Sequence, residues 1–321
     1  MSYPVLLTGA TGFVGAAVLG RLLGDGCRVT AVVRGDCASV DSRAVRYGID
    51  ALDEQTEWRN ALEGVQVVVH LAARVHVMND LEVDPLSAFR RVNVEGTLKL
   101  ARAAAASGVR RFIFLSSIKV NGEGTGQSRP YRADDVPAPV DPYGVSKMEA
   151  EQGLRALAEQ TGMEVVIIRP VLVYGPGVKA NFRSMMGWLQ KGVPLPFGAI
   201  DNLRSLVALD NLVDLIATCQ VHPAAANQTF LVSDDEDLST TALLTRMARA
   251  LGKTARLLPL PTRVLEMVAV MLGRRALSQR LCGSLQVDIQ KTRSLLQWTP
   301  PVTVDEALMR TAQDFQGKTK A

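Results

Sequence analysis

Apolar positions along the first half of the chain switch repeatedly between two periods. Short, β-branched runs at Val5 to Leu7, Val29 to Val33, Val67 to Leu71, Phe112 to Leu115 and Val165 to Ile168 read as strands buried on both faces. Between them, longer stretches place apolar residues three and four apart, as in Val14, Val18, Leu19, Leu22 and Leu23, and predict helices over 12–23, 85–106 and 143–160. Repeated strand, helix, strand predicts an α/β fold, a Rossmann-type doubly wound parallel sheet covered on both faces by right-handed crossovers. In such a sheet the ligand lies across the carboxyl ends of the strands.

After Tyr174-Gly175-Pro176-Gly177 the rhythm changes. Pro-rich turns such as Val193-Pro194-Leu195-Pro196-Phe197-Gly198, with shorter elements between them, predict a smaller, mixed α/β C-terminal lobe facing the substrate. The expected division gives 1–172 to the nucleotide-binding domain, and 173–204 with 223–316 to the lobe. Ser205 to Leu209 is expected as a strand returning to the main sheet and Asn211 to Val221 as a helix, so that 205–222 rejoins the first domain. The tail 317–321 is expected to fray.

Composition narrows the partners. With 321 residues, 47% of them hydrophobic, the chain can bury a large core. A formal net charge of +4 with no basic stripe excludes a nucleic-acid partner. Cys27, Cys37, Cys219 and Cys282 lie far apart without C-x-x-C spacing, which fits a reduced cytoplasmic compartment. No apolar run reaches the ~18 residues of a membrane span, and the first strand begins too early to leave room for a signal peptide. The most apolar late stretch, Val264 to Leu272 followed by Arg274 and Arg275, has the make-up of an interfacial helix, although a packing helix with a basic end is the expected role. His76 and His222 have no metal-binding neighbours at useful spacing, so no metal is expected.

The chemistry begins at Leu7-Thr8-Gly9-Ala10-Thr11-Gly12-Phe13-Val14-Gly15, where a strand turns into a helix. Gly9 permits a tight turn, Gly12 lets backbone amides approach a pyrophosphate, and Gly15 lets the helix pack closely. Tyr143 and Lys147 stand four apart on one helical face. A phenol has an ordinary pKa of about 10, and a neighbouring ammonium with a positive nicotinamide ring would lower it toward use as an acid or base. Ser117 ends an apolar strand, where its hydroxyl can reach a reacting oxygen; Ser116 is the better candidate for a cap. Glu149 and Glu151, beside Lys147, read as a solvated helix face.

These motifs, with His70-Leu71-Ala72-Ala73, Asn93-Val94-Glu95-Gly96-Thr97, Arg169-Pro170 and Val173-Tyr174-Gly175-Pro176-Gly177, resemble the extended short-chain dehydrogenase/reductases, the nucleotide-sugar epimerase and dehydratase family. The resemblance spans nearly the whole chain. It implies Ser117, Tyr143 and Lys147 as catalytic residues, with Lys147 on the nicotinamide ribose. It further implies cofactor contacts from Gly9, Thr11, Gly12, Phe13, Val14, Gly15, Arg34, Asp50, Leu71, Ala72, Ala73, Asn93, Ser116, Tyr143, Lys147 and Pro170. Substrate contacts would come from Ser117, Lys119, Asn181, Pro196, Phe197 and Arg204, with Arg204 gripping the diphosphate of a UDP-sugar. For Asn181 a helix cap is an equal alternative. Family members often form homodimers, so a homodimer is expected.

Three departures set the finer expectations. Lys119 stands where many 4-epimerases have Thr or Ala, Asn121 where an aromatic is common, and Leu172 where an asparagine is frequent. Arg34 occupies the position of the acid that accepts ribose hydroxyls in NAD sites, which turns the expectation toward NADP, with NAD as second choice should Asp36 supply the acid. The expected reaction is therefore 4-ketoreduction of a UDP-4-keto-6-deoxy-N-acetylhexosamine for surface polysaccharide. UDP-sugar 4-epimerisation with tightly held NAD is the alternative, and a non-catalytic NAD(P)-binding regulator a remoter one.

Overall fold

The computed structural model describes residues 3–35, 40–75, 84–126, 129–271, 279 and 281–320. Strands β1 (Pro4–Thr8), β2 (Arg28–Arg34), β3 (Val45–Ile49), β4 (Val67–His70), β5 (Arg111–Leu115), β6 (Glu164–Pro170) and β9 (Thr229–Val232) form one parallel sheet in the order β3-β2-β1-β4-β5-β6-β9. Side chains alternate across it, as period two requires. Leu7, Ala31, Val69 and Ile113 pack with α1 (Phe13–Gly24) and α6 (Leu209–Val221). Leu6, Val32, Val68 and Phe112 pack on the other face with α3 (Thr97–Ala106) and α4 (Pro142–Thr161). The doubly wound sheet read from the sequence is the sheet observed.

Two local readings change. The predicted helix over 85–106 is three pieces, α2 (Pro85–Arg90), a π-helical turn at Arg91–Gly96, and α3. The widened turn lies where Gly96 meets Leu52, so closely that a Cβ on Gly96 would come within 2.8 Å of the Leu52 carbonyl oxygen. The helix Val304–Lys320 also continues through the tail that was expected to fray after Gln316.

The strand expected at Ser205 to Leu209 exists as β8 (Arg204–Ala208) but does not return to the main sheet. It pairs in parallel with β7 (Leu172–Tyr174) and antiparallel with β10 (Asp237–Leu238) in a separate three-stranded sheet. The edge next to β6 goes to β9 instead, with Ile168 opposite Phe230. Helix α6 does lie back on α1, so the chain crosses between the two bodies more than once.

The second body has its own core, in which Tyr174, Phe182 and Met186 of the β7–α5 segment (α5, Ala180–Gln190) meet Leu244 and Met247 of α7 (Thr240–Ala250). A buried Asp234 ties the two together. It accepts hydrogen bonds from Tyr174 Oη at 2.9 Å, the Ala208 amide at 2.7 Å and Asn211 Nδ2 at 2.7 Å. Three hydrogen bonds, with both oxygens engaged, are what let a carboxylate sit there.

Candidate active site

At the β1–α1 turn the protein offers backbone and space. Gly9 has φ +73°, and a Cβ on it would come within 2.8 Å of the Ala72 amide. A Cβ on Gly15 would lie 1.9 Å from the Gly9 carbonyl oxygen, so α1 approaches the turn only because that position is glycine. The Gly12 amide donates to Gly9 O at 2.9 Å, and Gly12, as the N-cap of α1, supplies no side-chain cap. The first amides of α1, at Phe13 and Val14, therefore stand at the carboxyl end of β1 beside Thr11, in the geometry that suits a pyrophosphate.

The ends of β1 and β4 are fixed by a buried chain of hydrogen bonds. Thr8 Oγ1 meets His70 Nδ1 at 2.8 Å and accepts the Leu71 and Ala72 amides at 3.2 Å each, while His70 Nε2 meets Thr97 Oγ1 at 2.9 Å. Burial, then the nearby Lys147, pushes the His70 pKa down to about 3, so the ring is neutral. Asn93, on the π-helical turn, spends its side chain inside the protein: it bonds both backbone groups of Arg74 and donates to Ser146 Oγ at 3.0 Å. It thus holds the segment containing Leu71, Ala72 and Ala73 against α4. Arg34 and Asp50 are exposed at neighbouring strand ends, where Arg34 is in register with Ile49. Asp36, like His76 and Cys37, lies outside the described residues.

The reacting centre is assembled by α4, which starts at an Asp141 N-cap that accepts the Gly144 amide at 2.7 Å. The helix aims Tyr143 at the carboxyl end of β5. The Ser117 side chain lies close enough to favour the charged form of Tyr143, and the Phe89 ring stands edge-on to the phenol with centroids 6.0 Å apart. Ser117 also caps the short helix Ile118–Val120 by accepting the Lys119 amide at 3.2 Å. The cap expected of Ser116 therefore falls to Ser117, and Ser116 Oγ instead donates to Glu151 Oε1 at 2.5 Å.

One turn beyond Tyr143, Lys147 is 2% exposed. Its Nζ donates to the Leu115 carbonyl at 2.9 Å and lies 4.3 Å above the Phe114 ring. Burial lowers the Lys147 pKa to about 7, against the opposing pull of Glu151. Burial, reinforced by Asp141, raises Tyr143 to about 12, only partly offset by Ser117. Lys147 by itself therefore does not bring the phenol down; a further cation is needed beside it.

Glu151 overturns the solvated-face reading. It is 1% exposed and takes a two-pronged ion pair from the equally buried Arg169, at 2.9 Å from Nε and 2.6 Å from Nη2. Arg169 Nη1 reaches Asn121 Oδ1 at 2.9 Å. Glu149 is the half-exposed partner of Arg90. The missed pair was marked in the sequence by the spacing of Tyr143, Lys147 and Glu151 along one helical face, and by Arg169-Pro170 at the end of β6.

The residues expected around the sugar are placed less uniformly. Lys119 Nζ is bound by Glu123 at 2.8 Å and by Asp141; burial works against its charge, but the two carboxylates outweigh it and hold the pKa above its usual range. Arg204 Nη1 donates to the Gly283 carbonyl at 2.9 Å. Asn181 is exposed in the first turn of α5, whose N-cap is Lys179, so its capping alternative is excluded. Pro196 and Phe197 are half-buried, and the Phe197 carbonyl accepts Thr241 Oγ1 at 2.6 Å. Pro170 closes β6 opposite Val232. Among the described residues no cluster of His, Cys, Asp and Glu could hold a metal.

The glycine-lined turn, the parallel sheet and the Ser, Tyr and Lys set define an extended short-chain dehydrogenase/reductase. The chain belongs to the NAD dependent epimerase/dehydratase family, whose pattern it matches over residues 5–232. It is 49% identical over 317 residues to a UDP-glucose 4-epimerase of Vibrio cholerae, covering 98% of this chain and 96% of that one. Its fold matches the Thermotoga maritima UDP-glucose 4-epimerase solved with UDP-glucose (TM-score 0.79, 23% identity, 98% and 99% of the two chains). It matches the Bacillus cereus UDP-glucuronic acid 4-epimerase solved with NAD equally fully (TM-score 0.77, 21% identity, 98% and 99%). The chain is accordingly an enzyme of the nucleotide-sugar epimerase type.

Proposed function

We propose that the protein is a UDP-hexose 4-epimerase that uses NAD. The observation that carries this reading is the placement of Ser117, Tyr143 and Lys147 at the carboxyl edge of the sheet beside the glycine turn, in a chain 49% identical to a UDP-glucose 4-epimerase over nearly its whole length. That relative supports epimerisation over the ketoreduction expected from the sequence, and the NAD dependence of the family supports NAD over the NADP expected from Arg34.

The glycine cradle fits the pyrophosphate of the dinucleotide, with Thr11, Phe13 and Val14 at its mouth. Arg34 and Asp50 take the adenosine end, and Leu71 to Ala73 and Pro170 line the path to the reacting centre. Bound NAD supplies the acceptor and donor for the carbon-4 hydrogen, and its positive ring is the second cation that Tyr143 requires. Tyr143 then takes the proton of the carbon-4 hydroxyl and returns it, while Ser117 holds the same oxygen and Lys147 steadies the phenolate. Within the smaller lobe, Arg204 and Asn181 lie at the diphosphate of the UDP-sugar and Pro196 and Phe197 at its base. Lys119, already bridged by two carboxylates, shapes the sugar pocket by fixing the Ser117 loop to α4. The protomers pair as a homodimer.

Purified protein incubated with UDP-galactose and no added cofactor should yield UDP-glucose, and extraction should release NAD. NADPH oxidation with a UDP-4-keto-6-deoxy sugar, without such interconversion, would replace this reading with the reductase one.

A further inference from the structure

Glu151 and Arg169 are opposite charges held inside the protein, each 1% exposed. A buried pair of this kind can often be replaced by well-packed apolar residues without loss of stability, so stability alone does not account for it. What the pair touches does. Glu151 Oε1 accepts Ser116 Oγ at 2.5 Å and Arg169 Nε at 2.9 Å, and Oε2 accepts Arg169 Nη2 at 2.6 Å and Arg155 Nη2 at 3.4 Å.

The two partners grip the loop that carries Ser117 from both sides. Ser116 stands between Leu115, whose carbonyl accepts Lys147 Nζ at 2.9 Å, and Ser117, the N-cap of the short helix Ile118–Val120. The C-cap of that helix is Asn121, whose Oδ1 accepts Arg169 Nη1 at 2.9 Å and whose Nδ2 donates to the Arg132 carbonyl at 2.9 Å. One ion pair therefore fixes the residue before Ser117 and the residue at the far end of its helix. Glu151 is also one turn beyond Lys147 on α4, so helix and loop share a single anchor.

We propose that Glu151, braced by Arg169, is a positioning residue for the reaction: through Ser116 it holds the Leu115 carbonyl that aims Lys147 and the Ser117 side chain beside Tyr143. Buried as it is, it acts through these neighbours and not on the substrate. Its charge has a second effect, because it opposes the burial that strips the proton from Lys147. The other titratable groups around Lys147 are Tyr143 on the same helix and neutral His70 from β4, with Arg169 of β6 paired to Glu151. Strand β5 meets the ammonium with the Leu115 carbonyl and the Phe114 ring. The positioning role rests on the epimerase reading, which supplies the reaction to be measured.

Ser116→Ala tests it with the ion pair left in place and only the link to the loop cut. It should lower kcat for UDP-galactose about tenfold, because small displacements of reacting groups are costly, with KM within about twofold of wild type. Bound NAD and melting temperature should not change. Glu151→Gln/Arg169→Met removes both charges and releases Asn121. It should lower kcat about tenfold or more and move the alkaline limb of its pH profile down by about half a pH unit or more, since Lys147 then loses its proton sooner. Wild-type kcat in Ser116→Ala would overturn the positioning role whatever the double variant does. So would a fall in kcat that follows loss of NAD, which would assign the Ser116 hydroxyl to the cofactor, or an unmoved pH profile in a folded double variant. These outcomes, in a wild type that interconverts UDP-galactose and UDP-glucose, leave the epimerase reading standing; an inactive wild type would overturn both.

Discussion

The β1–α1 turn and the α4 face are built from different materials. At the turn the protein contributes amides and empty volume: Gly9, Gly12 and Gly15 matter for what they lack. At α4 it contributes buried charge: Lys147, Glu151 and Arg169 are at most 2% exposed and depend on one another. A backbone site tolerates nothing added, whereas a buried side-chain site tolerates nothing removed.

Substitutions can sharpen or break that contrast. The largest effect belongs to Tyr143→Phe, which should lower epimerisation roughly 10²–10⁴-fold while leaving melting temperature and cofactor content unchanged; unchanged turnover would remove Tyr143 from the proton path. Next, Glu151→Ala leaves the Arg169 guanidinium buried without its partner and should cost about 3–5 kcal/mol in urea unfolding, while the half-exposed Glu149→Ala costs about 1 kcal/mol or less. Equal losses would mean that Glu151 behaves as a surface residue after all. Gly15→Ala should cost about 1–3 kcal/mol, with weaker cofactor retention, because its Cβ meets the Gly9 carbonyl.

The last effect is a slope. His70 is held neutral in the fold, with a pKa of about 3 against about 6.5 when unfolded, so the unfolded chain binds the extra proton between those values. Stability should therefore be whole above pH 6.5 and decline as pH falls, by up to about 1.4 kcal/mol per unit from this residue. Urea unfolding from pH 7 to pH 5 reads that decline, and His70→Asn should flatten it. An identical slope in the variant would place the titration elsewhere.

What could be read in advance follows the same division. The parallel sheet and the glycine turn were legible because periodicity and backbone conformation are local properties of a sequence. The same logic singled out Ser117, Tyr143 and Lys147 as candidates. Which sheet β8 joins was not legible, since alternating apolar residues specify a face and not a neighbour. Glu151 was misread because a charge on a helix is usually solvated, and its partner Arg169 comes from a strand eighteen residues away. The cap was assigned to Ser116 in place of Ser117 for a similar reason: both hydroxyls can cap, and only tertiary structure brought Glu151 to Ser116.

The central claim is that a hydrogen leaves carbon 4 of a UDP-hexose and returns to the same carbon under Tyr143. UDP-galactose deuterated at carbon 4, incubated with purified protein and no added cofactor, tests it directly by NMR of the product. The account predicts UDP-glucose with the deuterium retained at carbon 4. Loss of the label to solvent, or no conversion until NADPH and a keto-sugar are supplied, would contradict it.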